Sequence, residues 1–90
     1  MLSSIIKVAH VDKSIFTNQQ EHLQETLREI RVAAGFRQSD LAKRLKQPQS
    51  FVSKYESGER RLDLIELRQI CRAGGISLAE FVRKFESRLK

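Results

Sequence analysis

The chain has 90 residues and a net charge of +6, with one cysteine and two histidines. This length makes one small domain, which buries about 60–65% of its unfolded surface. One cysteine excludes an internal disulfide, and with two distant histidines it offers no zinc-ligand spacing. No apolar stretch is long enough for a membrane-spanning helix, and there is no repeat or low-complexity tract. No nucleophile stands near a base, and no glycine-rich phosphate loop is present. The reading is therefore not an enzyme, with no metal and no cofactor.

Residues 1–14 fit two patterns. Leu2, Ile5, Ile6 and Ala9 have helical spacing, whereas Ile6, Val8 and His10 alternate as in a strand. They are expected to form a partly ordered N-terminal arm on a domain spanning 15–90, or an arm that pairs with a second subunit. The opening LSSIIKVAHV lacks a basic leader and contains Lys7, so a signal peptide is not expected and the setting is cytoplasmic.

The first helix is expected to begin after Thr17, where TNQQ reads as a capping box, and to run about 17 residues. Leu23, Leu27, Ile30 and Ala34 mark its inward face, and Gly35 ends it. Glu21, Glu25 and Glu29 recur every four residues and read as a solvated face.

The core of the chain is 38–58, QSDLAKRLKQPQSFVSKYESG. Leu41, Ala42 and Leu45 give a short helix one inward face, with Ala42 small enough for a close crossing. Pro48 interrupts, since a proline suits only a first turn. Val52 and Tyr55 face inward from the next helix, leaving Gln49, Ser50, Phe51, Ser53 and Lys54 outward. Two helices joined by a tight turn are a helix-turn-helix. Amide, hydroxyl and ammonium groups on the second suit base edges in the major groove of double-stranded DNA. Residues 37–61 also hold seven basic residues against three acidic ones, a net charge of +4.

After Gly58, DLIE from Asp63 is another capping box, with Leu62 and Leu67 stapled across it. Leu64, Leu67, Ile70 and Cys71 are expected inward, and Gly74–Gly75 stop the helix. Cys71 reads as a buried thiol. SLAE from Ser77 opens a last helix, with Ile76 and Phe81 as its staple. Its stripe of Leu78, Phe81, Val82, Phe85 and Leu89 is too rich for one side of a small bundle: part is expected in the core, and Phe85 and Leu89, with Phe81 as a further candidate, are assigned to a homodimer interface.

Three segments, LREIRVAAG, QPQSFVSKYESGERRLDLIEL and GGIS, resemble the phage repressor and Cro-type helix-turn-helix family, also called the xenobiotic-response-element (XRE) type. The likeness covers roughly two-thirds of the chain with spacing intact. It implies an all-α, five-helix, lambda-repressor-like domain that acts as a small, nucleoid-associated transcription regulator, a repressor on a pseudo-palindromic operator. Lys46 stands where the family most often has a turn glycine, and Arg37 where a Thr or Ser usually caps the helix.

The resemblance also implies roles. Gln49 is expected to read adenine, with Ser50 and Ser53 beside it and Lys54 reaching guanine. Phe51 either touches a thymine methyl or folds against the turn. Gln38 is expected to hold phosphate at a helix amino end, where free N–H groups favour an anion. Arg37, Ser57 and Arg61 join it, with Arg60, Lys43 and Arg44 as further candidates. Glu56 would repel DNA if it faced outward, so it is paired with Arg31, as similar family members pair an arginine and a glutamate there. The competing reading is an antitoxin-like or adaptor module whose main partner is another protein.

Overall fold

The computed structural model describes the backbone of residues 13–89 and the side chains of residues 18–89. The expected arm lies outside these residues, except that Lys13 and Ser14 belong to the first helix. That helix, α1, is Lys13–Ala33, so it starts before the capping pattern at Thr17. The segment holds no proline or glycine, and each residue added to an existing helix gains a backbone bond, so the capping signal is passed over. At the far end Gly35 takes φ +79, and the N–H of Phe36 bonds to the Arg31 carbonyl at 3.1 Å. This left-handed stop turns the chain back over its own helix.

Four shorter helices follow: α2 (Gln38–Leu45), α3 (Gln49–Ser57), α4 (Leu64–Ala73) and α5 (Leu78–Arg88). No strand occurs among the described residues. Helix α2 packs on α3 and α4, while α1 supports α3 on one side and α5 on the other. Every helix contributes to one core, made of Leu27, Ile30, Leu41, Ala42, Val52, Tyr55, Ile70, Cys71 and Phe81. Burial pushes the Cys71 thiol up to about 11, so it stays protonated at neutral pH. The caps of α4 and α5 also form. Asp63 accepts from the N–H of Glu66 at 2.7 Å, and Ser77 accepts from that of Glu80 at 3.0 Å.

Three apolar assignments are corrected. Leu64 is 64% exposed, because it occupies the first position of α4, a turn short of the core. Leu62, just before the cap, packs against the core instead. Val82 is also mostly outside the core, at 43%. Phe81 is only 1% exposed and belongs wholly to the core, so it has no surface to offer a second subunit. Phe85 and Leu89 are half-buried.

Candidate nucleic-acid interface

The turn between α2 and α3 is made without glycine. Lys46 adopts φ +56 and ψ +43, a left-handed conformation that crowds its Cβ. The amides of Lys46 and Gln47 bond back to the carbonyls of Lys43 and Ala42 at 3.1 and 2.9 Å. Pro48 then precedes α3 in extended conformation, with no side chain capping the helix. The N–H of Phe51 bonds to the Pro48 carbonyl at 3.0 Å, and those of Gln49 and Ser50 have no side-chain cap.

The carboxyl end of α3 is gripped by α1. The Arg31 guanidinium donates to both carboxylate oxygens of Glu56, at 2.7 and 3.1 Å, and to the Phe36 carbonyl at 2.8 Å. Glu56 is 1% exposed, so the pair is desolvated on the carboxylate side. Gln24 donates to the Glu56 backbone carbonyl at 3.1 Å, joined by Arg28 at 3.5 Å. These three donors sit at i, i+4 and i+7, a polar stripe along α1 aimed at the end of α3.

From this anchor a relay runs outward. The Gln38 amide donates to Glu56 at 3.1 Å, and Gln49 donates to the Gln38 oxygen at 3.4 Å. Gln49 therefore keeps its carbonyl oxygen and one N–H free, the pair of groups that adenine N6 and N7 require. Ser50 and Lys54 are exposed on the same helix and Ser53 is half-buried. Phe51 turns inward. Its ring makes a T-shaped contact with Tyr55 at 5.4 Å between centroids.

With this geometry in view, comparison with known proteins is direct. The helix-turn-helix family profile matches residues 27–81. An XRE-family like protein from Pseudomonas syringae pv. tomato str. DC3000 is 45% identical, with a TM-score of 0.77 over 84% of this chain and 93% of that one. The chain belongs to the XRE-type helix-turn-helix family. Two structures of the clp gene regulator ClgR from Corynebacterium glutamicum share the fold at 24% identity and TM-scores of 0.71, over 79% and 80% of this chain and 76% and 92% of theirs. No curated protein sequence matches. The family is one of DNA-binding transcription regulators, not of enzymes.

In this XRE-type protein the phosphate candidates divide by whether their charge is already paired. Lys43, Lys54 and Arg61 are exposed and have no acidic partner within 4 Å among the described residues. Arg44 is exposed too, its guanidinium lying 4.7 Å over the Phe36 ring. Arg37 is exposed but reaches back to Asp40 at 3.1 Å, and its N–H donates to the same carboxylate at 2.9 Å. Arginine has no oxygen to cap α2, so the third residue of the helix performs half of a capping box instead. The bond from Arg37 holds the Asp40 carboxyl below the usual range. Ser57 donates within its own loop, to the Lys54 carbonyl at 3.1 Å or to Glu59 at 3.3 Å. Arg60 is bound to Glu66 at 2.7 and 3.0 Å. The hydrogen bond from Arg60 holds the Glu66 carboxyl low.

Sequence reasoning missed Gln24 and Arg28, and it gave Gln38 only an outward role. The spacing of Gln24, Arg28 and Arg31 was the available signal. Glu25 and Glu29, read as solvated, are exposed but reach Arg88 on α5 at 3.0 and 2.6 Å.

Proposed function

We infer that α3 enters the major groove of double-stranded DNA, with Gln49, Ser50 and Lys54 toward the bases and Ser53 at the edge of that face. The observation that carries this is the contrast in partners along α3. Gln49 is steadied by Gln38 yet retains a free donor and acceptor, whereas Glu56, the acidic group that would repel DNA, is turned inside. Lys43 and Arg61 supply phosphate contacts around the helix, and Arg37 and Ser57 supply others when they exchange a local bond for a phosphate oxygen. Gln38 gives one side-chain N–H to Glu56, so its phosphate contact comes from the remaining side-chain N–H or from its backbone N–H at the start of α2.

The protein acts as a repressor in the cytoplasm, on the nucleoid, binding a pseudo-palindromic operator as a homodimer. Phe85 of α5 and Leu89 just after it, without Phe81, are left for the subunit contact. A second reading rests on Leu64 and Ile65, neighbouring apolar side chains that are both mostly exposed. They suit a protein partner of the kind an antitoxin or adaptor module engages.

Selection of binding sites from random duplexes tests the main reading. The expected product is an inverted repeat with half-sites about 34–36 Å apart. A population with no enriched motif would overturn base reading and favour the protein partner.

A further inference from the structure

Arg60 lies in the loop just past α3, between Glu59 and Arg61. The guanidinium makes two bonds to Glu66 in the first turn of α4, at 2.7 and 3.0 Å, and donates to the Arg61 carbonyl at 2.9 Å. The same guanidinium covers the Phe51 ring, 4.8 Å from its centroid. Phe51 is in the first turn of α3, two residues from Gln49, and its ring makes a T-shaped contact with the buried Tyr55. Glu66 is held in turn by the Asp63 N–H at 3.0 Å, through the capping box of α4.

We propose that Arg60 is a positioning residue, which clamps the amino end of α3 to the capped start of α4 through Phe51. The proposal rests on the groove reading and names what holds that end of the helix in place. The amino end has no side-chain cap and follows a left-handed lysine, so local chemistry leaves it weakly fixed. Phe51 also borders a hollow of about 280 Å³, lined by Leu45, Gln47, Ile65, Gln69 and Ile70. The ring is therefore not packed on all sides. A cation over its face, itself fixed by a carboxylate, supplies a contact that holds it. Gln49 shares this first turn, so movement of the ring shifts the amide that faces the bases.

The clamp and a plain phosphate contact predict opposite results for Glu66→Gln. Glutamine keeps the capping bond but releases the guanidinium and removes a negative charge. If Arg60 served DNA backbone, its release would tighten binding to every duplex and steepen the salt dependence. If it clamps Phe51, release lowers the ratio of affinity for the selected site over a random duplex, by about three- to fivefold. Arg60→Ala should lower the ratio similarly with the salt slope unchanged, while Arg60→Lys, which keeps a cation over the ring, retains part of it. Arg61→Ala serves as the contrast: it weakens both duplexes alike and flattens the slope by about one unit. Equal losses on both duplexes for Arg60→Ala, or equally tighter binding to both duplexes by Glu66→Gln with the ratio unchanged, would overturn the clamp. Amide hydrogen exchange without DNA separates this from the groove reading. Both variants should speed exchange of Val52 and Ser53 in α3 while the amides of α1 hold their rates. If no duplex is preferred but α3 loosens, the clamp stands and the groove reading falls. If α3 exchange is unchanged in both variants, the clamp falls.

Discussion

The two ends of α3 use polar residues in opposite ways. At the carboxyl end Glu56 is buried and receives bonds from Arg31 and Gln38, while its backbone carbonyl receives Gln24. At the amino end Gln49 and Ser50 are exposed, and Gln49 has one long bond to Gln38. The nine-residue helix is thus anchored at one end and offered at the other. Polar composition alone does not distinguish a reading surface from a structural joint. What separates them is how many of the side chains already have partners.

The largest effect is expected from breaking the anchored end. Arg31→Ala strands a carboxylate in the core and should cost about 3–5 kcal/mol in urea denaturation. Replacing both partners by methionine removes two buried charges together and should be near neutral in stability. That double variant is the sharper test. Gln38 would lose the carboxylate it donates to, so Gln49 should lose discrimination between sites even though the protein remains folded. Full stability with full site preference would show that the relay from Glu56 does not reach the reading end.

The offered end should behave in reverse. Gln49→Ala removes a side chain with little packing, so the unfolding midpoint should hardly move. Affinity for the selected site should fall by about 1–3 kcal/mol, with little change on random duplex. A loss of stability larger than the loss of binding would make Gln49 another joint and erase the contrast between the ends.

Lys46 controls the turn between the helices and gives the next effect. Lys46→Gly removes a left-handed Cβ but adds unfolded-state freedom, so a net gain of about 0.5–1 kcal/mol in stability is expected. Binding to all duplexes should change together, since the variant also deletes a charge beside the reading helix. A destabilised glycine variant would mean that the lysine side chain makes a contact worth more than its backbone strain.

Much of this arrangement is readable along the chain. Leu27, Ile30, Leu41, Ala42, Val52 and Tyr55 all show in helical spacing, and Gly35 marks its turn. Glu56 and Arg31 could be paired because an outward acid makes no sense on a surface proposed to approach phosphates. The relay and the clamp were hidden for one reason. Gln24, Gln38 and Arg60 look in sequence like any solvated amide or cation, and their partners lie 32, 18 and 6 residues away. Spacing rules reach only one or two helical turns, so they place a side chain on a face without saying what crosses to meet it. The start of α1 fails differently: a cap motif permits a helix end but does not compel one, and chain propagation overrode it.

The smallest effect tests whether partners alone make an anchor, or whether burial is needed too. Arg88 on α5 contacts Glu25 and Glu29 of α1 at 3.0 and 2.6 Å, distances as short as those at Glu56. Both carboxylates, however, are more than half exposed. Water already solvates those charges, salt screens them, and ordering three long side chains opposes the attraction. Arg88→Ala should therefore cost about 0.2–1 kcal/mol, and less still in half-molar salt. The cost of Arg31→Ala should change little with salt, because its partner is screened by protein instead of ions. If the two arginines proved equal in cost and in salt response, distance would outrank burial, and the difference drawn between the ends of α3 would need a cause other than desolvation.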